Sequence, residues 1–509
     1  MQLIISAAAC LGTIGIIVQV HFPKSKSGLP LPPSPSKAWG LRGHFLPPRN
    51  PFVTVAGWID EYGPLITVRS RFENIVIIGR YQAAVDIMEN QGKSLADRPR
   101  KVAVGEIVGG GLSIAFTPFG ERFRRMRRAL HTHLQPNAAK TYQPLQMSHA
   151  KTAVLDILDD PYNFQNHVTT YAATTIMKVA YGKTTPTSAS DPEVIEINQI
   201  ISMFRPILRP GAYLVDTIPW LKYLPWYGRD LQLMCERQMK LNMDHLNRVK
   251  EQLQSNVDIG PSFAKHMLEG SDRFDLTEAE TASLAGTFFA AGSSTTSAAI
   301  CTVLMAAACF PEEQATVQTE LDAVIGRHRA PTFADQESLP RLHAFIAEAL
   351  RWRPLTPNGV AHRTTRDVIW ASNGNYCIPA GTTVYGDHWA ISRDPEVYPE
   401  PYAFKPQRWV DDRGRLRDDL KFFVYGFGRR ICPGQHVANR SVFINSLLIL
   451  WAFRLALDPT KPLDDMGYMN GEMSKRPCTI EFKTRISEME IKRIMQNYPE
   501  VARETLTLG

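Results

Sequence analysis

The chain has 509 residues, 57 Lys plus Arg against 50 Asp plus Glu, and 44% hydrophobic residues, which excludes disordered tails and fibres and leaves an ordinary folded protein. A chain this long buries enough surface to fold without disulfide staples, and its seven cysteines, odd in number and without C-x-x-C spacing, predict neither a disulfide framework nor a zinc knuckle. The formal net charge of +7 is too mild to imply nucleic-acid binding, and no nucleic-acid partner is expected.

From Met1 to Val20 no residue is charged, a run long enough to cross a bilayer as a helix. A cleaved signal peptide is the rival, but such peptides begin with a basic region, whereas here Lys24 and Lys26 follow the apolar run. The expectation is an uncleaved transmembrane anchor over residues 1–22, with the rest of the chain on the cytoplasmic side of the flanking lysines. Residues 23–51 hold eight prolines and read as a stiff spacer. Residues 52–509 are expected to form one large domain.

Within that domain, Leu65 to Val68 and Asn74 to Ile78 are short β-branched runs that predict a hairpin, followed by a helical pattern from Tyr81 to Glu89. From about Phe119 to Phe310 the chain carries long helical patterns broken at Pro or Gly, with no regular strand–helix alternation. Strand-like pieces return at Val368 to Ala371, Thr382 to Tyr385 and Thr479 to Lys483. The predicted fold is mainly α with a minor β-sheet region contributed from both ends of the chain. Dinucleotide-binding, Walker, H-E-x-x-H and G-x-S-x-G patterns are absent, which removes the commonest nucleotide-hydrolase, metallopeptidase and hydrolase readings.

The most informative stretch runs Tyr425-Gly426-Phe427-Gly428-Arg429-Arg430-Ile431-Cys432-Pro433-Gly434 and leads into a helical apolar pattern. Backbone N–H groups at a helix start stabilise a thiolate, and glycines let a flat ligand approach the backbone. The stretch resembles the haem-binding signature of the cytochrome P-450 superfamily, F-x-x-G-x-R-x-C-x-G, at Gly428, Arg430, Cys432 and Gly434, with Tyr425 where the pattern usually has Phe. The resemblance implies haem b held by Cys432 as axial thiolate, by Arg430 on a propionate, and by a loop that includes Gly434 and Tyr425.

Three further stretches resemble the same family. Glu348-Ala349-Leu350-Arg351, upstream of Arg408, is similar to its Glu-Arg-Arg triad, which implies a structural role for Glu348, Arg351 and Arg408. A long apolar pattern from Phe274 to Phe310 opens with the capping box Thr277-x-x-Glu280. It contains Ala290-Ala291-Gly292-Ser293-Ser294-Thr295-Thr296, similar to the oxygen-activation motif. The implied roles are room above the iron at Gly292 and proton delivery at Thr295, with Ser294 replacing the usual acid. Five arginines crowd into seven residues from Arg122. There Phe123 and Arg127 stand in the positions of the family's W-x-x-x-R, so Arg127 is expected at a propionate and the other arginines on a docking face for an acidic electron donor. His362 lies where family members place another propionate partner.

The resemblance spans nearly the whole chain after the spacer. It implies a haem-thiolate monooxygenase, inserting one atom of O2 into a small apolar substrate, in the endoplasmic-reticulum membrane with its catalytic domain facing the cytoplasm. Electrons are expected from a separate NADPH-dependent flavoprotein reductase, with cytochrome b5 as a further donor. The alternatives are a haem-thiolate isomerase or dehydratase that needs no reductase, and a non-catalytic haem sensor or carrier. The substrate pocket is expected to draw on Val102 to Phe116, the region from Met203 to Trp226, Phe288, Ala291 and Leu355 to Val360.

Overall fold

Asn50, in the left-handed conformation, ends the proline-rich stretch, and Pro51 opens the first helix, α1 (Pro51–Tyr62), where its missing N–H is no loss. The computed structural model describes residues 27–36, 43–70, 73–209, 211–255, 260–372, 374–420, 423–469 and 478–498; the expected anchor at 1–22 lies outside them. Strands β1 (Leu65–Ser70) and β2 (Glu73–Ile78) pair antiparallel from Leu65 opposite Ile78 to Ser70 opposite Glu73. The helical pattern after them is realised as one α turn, Tyr81–Ala84, that widens into a π turn, Val85–Asn90.

Eight longer helices among the described residues build most of the domain up to residue 352: α2 (Glu121–Leu134), α3 (Gln143–Asp159), α4 (Phe164–Tyr181), α5 (Pro192–Leu208), α6 (Arg229–Gln254), α7 (Glu278–Cys309), the helix Pro311–Val324 and α8 (Pro340–Trp352). Strands β3 (His362–Arg363), β4 (Val368–Trp370), β5 (Tyr376–Ile378) and β6 (Thr383–Gly386) follow. Helix α9 (Gln435–Ala452), the pair β7 (Phe453–Leu457) and β8 (Ile480–Thr484), and a short helix Glu488–Gln496 complete the described chain. One four-stranded sheet has the order β1-β2-β6-β3, with β2 and β6 parallel. Sheet strands from residues 65–78 and 362–386 therefore meet, and the fold is mainly helical with small sheets.

The described part of the proline-rich stretch is docked, not free. The Thr67 amide donates to Pro33 O (2.7 Å), its hydroxyl to Pro32 O (2.8 Å), and the Cys377 amide to Pro30 O (2.9 Å). Proline keeps its carbonyl acceptor, and β1 is an edge strand with groups to satisfy. The boundary expected between residues 51 and 52 falls inside α1.

Helix α7 is the axis of the core. It starts later than its apolar pattern, because Asp275 is left-handed (φ 49°) and breaks the chain between Phe274 and the cap. The expected capping box is present: Glu280 N donates to Thr277 Oγ1 (3.2 Å) and Thr277 N to Glu280 Oε2 (2.9 Å). Two glycines let neighbouring helices close on it. A Cβ at Gly286 would lie 2.0 Å from Asn242 Oδ1 on α6, and one at Gly292 would lie 2.7 Å from Ile176 Cγ1 on α4. Length and composition would allow α7 to cross a membrane, but it is a mostly buried core helix.

Candidate active site

The cysteine loop is fixed before any ligand is considered. Gly426 and Gly428 have φ of 80° and 55°, and a Cβ on Gly428 would come within 2.6 Å of Met88 O, so both backbone freedom and space require glycine there. The Gly428 amide donates to Glu89 Oε1 (3.1 Å) and the Cys432 amide to Tyr425 O (2.9 Å). Gly434 caps α9 at φ −83°, and a Cβ there would make only ordinary contact, 3.9 Å from Cys432 Sγ. Burial pushes the Cys432 thiol up, opposed by the Gly434 amide, the Arg127 guanidinium and the Gln435 amide. Those groups stabilise a thiolate, and a bound metal ion would draw the proton off.

Around this loop four basic side chains converge from four segments. Arg430 donates from Nε to Ala96 O (2.6 Å) and from Nη2 to Thr117 O (2.8 Å). Arg127 donates to Ile431 O (3.0 Å), next to the cysteine. Arg98 donates to Ala361 O and to Ala115 O (3.2 Å). His362 is buried with Nδ1 2.8 Å from Leu95 O; a carbonyl only accepts, so Nδ1 carries the proton and Nε2 is left for another partner. Burial lowers Arg98 to about 10 and Arg430 to about 9, and burial with the Arg98 charge lowers His362 to about 3. Asp97 offsets part of this charge for Arg98 and Arg430, yet among the described residues neither arginine nor Arg127 makes an ion pair. Cations held together on backbone carbonyls fit a dianionic ligand such as the two carboxylates of haem b.

Sequence reasoning missed Arg98 and the contact that Phe123 makes with Arg430. Phe123 does lack the indole N–H, but its ring lies 3.6 Å from the Arg430 guanidinium carbon, so it supports that cation by its face. The signal for Arg98 is weak, a single arginine before Pro99 whose partners lie far along the chain.

The arginine run of α2 divides. Arg122 donates to Glu280 (2.6 Å), tying α2 to the start of α7, and Arg125 to Asp275 (2.6 Å). Arg124 and Arg128 share Glu121 at 3.3 and 3.1 Å and remain on the surface.

Helix α7 opens to space along one stripe. Ala291 and Thr295, four residues apart, are exposed and Thr287 partly so, while the rest of this stretch is largely buried. Thr295 Oγ1 donates to Ala291 O (2.5 Å), and the neighbouring hydroxyls also bond back to the preceding turn, Ser293 to Phe289 O (2.8 Å) and Ser294 to Ala290 O (3.4 Å). Ser294 is buried, so it does not share the open face with Thr295. Gly292 is fixed by the approach of Ile176; the close helix contact accounts for a glycine that the sequence reading reserved for space beside the ligand.

The expected pocket walls come together only in part. Val102, Val104 and Val108 pack with Ile207, Val215 and Leu231 in a small core of their own. Trp220, Tyr223 and Trp226, within or beside the expected range, instead lie on the surface, 60%, 77% and 65% exposed.

Away from the loop, Glu348 is fully buried and every contact it makes is closed. It accepts from Arg351 Nε and Nη2 (both 2.7 Å), Arg408 Nε (3.2 Å), the Lys405 amide (2.8 Å) and Trp409 Nε1 (2.9 Å). Trp409 was not foreseen, although it directly follows Arg408.

Residues 32–483 match the model of the family described as Cytochrome P450. Cytochrome P450 monooxygenases 113 and 64 of Postia placenta are each 46% identical to this chain over 488 residues, covering 95% and 96% of it and 97% and 98% of the relatives. A cytochrome P450 monooxygenase of Armillaria gallica is 35% identical over 474 residues, 90% of this chain and 89% of its own.

Proposed function

From the premise that this chain belongs to the cytochrome P450 family and is a haem b monooxygenase, we propose that Cys432 is the axial thiolate and that the site oxidises a small apolar molecule with electrons from NADPH through a separate flavoprotein reductase. When bound, the haem supplies activation of O2 and transfer of one of its atoms to the substrate. The observation that carries the residue assignment is the cluster around the Cys432 loop, three half-buried guanidinium charges of Arg98, Arg127 and Arg430 beside the buried His362, with no ion pair among the described residues.

The chain's own groups then have separate tasks. Arg430, Arg127, Arg98 and His362 hold the propionates. The Gly434 and Gln435 amides hold negative charge on the sulfur. Thr295 Oγ1, on the open stripe of α7, holds and passes a proton toward the oxygen site, and the buried Ser294 leaves that delivery to water and Thr295. Phe288 and Ala291 on α7, with the segment from Val102 to Phe116 and Leu355 to Val360, exclude water and favour an apolar substrate.

The docking face for the reductase, with cytochrome b5 as a second donor, centres on Arg124 and Arg128, the run's arginines that stay exposed. The uncharged run from Met1 to Val20 supports a single-pass anchor in the endoplasmic-reticulum membrane, with the domain on the cytoplasmic side. The test is reconstitution of the full chain in vesicles with a flavoprotein reductase, NADPH and a panel of apolar compounds. Substrate-dependent NADPH oxidation with a product carrying one atom from labelled O2 is the expected result. Product formed without reductase or O2 would replace this reading with the isomerase or dehydratase one.

A further inference from the structure

Tyr425 differs from the family's usual Phe by one hydroxyl, and that hydroxyl has a partner: it donates to Asn439 Oδ1 at 2.7 Å. Asn439 sits on α9, one turn beyond Gln435. The same tyrosine accepts the Cys432 amide at its carbonyl, 2.9 Å. One residue thus grips the cysteine loop at its backbone and the following helix at its side chain. The gap it spans lies between the cysteine and the start of α9, where Gly434 stands beside the Cys432 sulfur.

We propose that Tyr425 and Asn439 form a clamp that fixes the Cys432 loop against the start of α9 and so sets how closely the backbone amides at that helix start approach the sulfur. Both are positioning residues, acting through Cys432, and the inference rests on Cys432 as the axial ligand. Amide donors withdraw electron density from a ligating sulfur and raise the potential of its metal. Releasing the clamp lengthens those contacts, returns density to the sulfur and moves the potential down.

The test uses the holoenzyme of the full chain and three variants: Tyr425→Phe, Asn439→Leu and the double variant. Tyr425→Phe keeps the ring and removes only the hydroxyl. The readouts are the reduction potential of the iron without substrate and the Soret position of the reduced carbon monoxide complex. The expected result is a negative shift of potential in both single variants, of similar size, with no further shift in the double variant, because one interaction is removed each time. Shifts that add in the double variant, or a Tyr425→Phe potential equal to wild type, would overturn the clamp. A wild-type holoenzyme lacking the thiolate-type Soret band would overturn the ligand assignment itself, and the clamp with it, and this outcome is read before any variant is compared.

Discussion

Two charge clusters in this molecule, one buried and one half-buried, follow opposite rules. Around Glu348 the carboxylate is saturated and both arginines have an ion-pair partner: two arginines, an indole and a backbone amide converge on it. Around Cys432 three arginines and a histidine crowd together and lean on backbone carbonyls. Burying a charge is costly unless it is paired, so the first cluster is complete as protein and the second is complete only with an anionic ligand. On the proposed reading, the closed cluster belongs to the fold and the open one to the cofactor.

The largest effect should come from breaking the closed cluster. Glu348→Ala leaves Arg351 and Arg408 buried without their carboxylate, a loss of about 3–5 kcal/mol, large enough to remove most folded protein at 37 °C. The yield of soluble, haem-loaded domain and its thermal midpoint measure this directly.

In the open cluster the same kind of change should spare the fold and strike haem retention. Arg430→Gln removes one charge-assisted contact, on the order of 1.5–3 kcal/mol, so transfer of haem to an acceptor protein should speed up roughly ten- to hundredfold. Far-ultraviolet circular dichroism of the haem-free variant should match wild type. A variant that unfolds yet keeps its haem would reverse the assignment of the two clusters.

Gly292→Ala separates packing from chemistry on α7. Its new Cβ meets Ile176 at 2.7 Å, and overpacking of this kind costs about 1–3 kcal/mol. Ile176→Ala in the same chain should restore the thermal midpoint. Failure of that rescue would return Gly292 to a role beside the ligand.

Asp387 is an intermediate case, a buried carboxyl near the closed cluster that caps Ala390 N (2.9 Å). Burial raises it to about 8 from the ordinary 3.8, against the pull of that amide and of Arg393. The folded state therefore keeps a proton that the unfolded chain releases. The stability contributed by that proton is full below about pH 4 and is lost as pH rises through about 8, by about 1.4 kcal/mol per pH unit at most. Asp387→Asn keeps the capping oxygen without the charge, so its thermal midpoint should exceed wild type by a margin that grows from pH 5 to pH 8. A margin constant across that range would place the carboxyl in its ionised form.

The legible parts of the molecule were local. The hairpin, the capping box at Thr277 and the capped, apolar α7 are set by neighbours within a few residues, and the sequence shows them at nearly their true bounds. The cysteine loop was legible for the same reason. Contacts made across the chain were not. Nothing near Arg98 announces Ala361 or Arg430 as its neighbours. Nothing in Gly292 distinguishes a helix contact from space for a ligand, since both call for a missing Cβ. Proline count suggested a stiff spacer and gave no sign of its partners; a proline carbonyl still accepts, and Pro30, Pro32 and Pro33 use theirs on the domain. Exposure was equally hidden: Trp220 and Trp226 have core-like side chains and lie at the surface.

The central claim is that the open cluster surrounds a haem ligated by Cys432. The most direct measurement is the absorption spectrum of the dithionite-reduced protein under carbon monoxide, for wild type and Cys432→Ser. A strongly red-shifted Soret band in wild type that disappears in the variant is the predicted result. A folded, haem-loaded wild type without that band, or a variant that keeps it, would contradict the account.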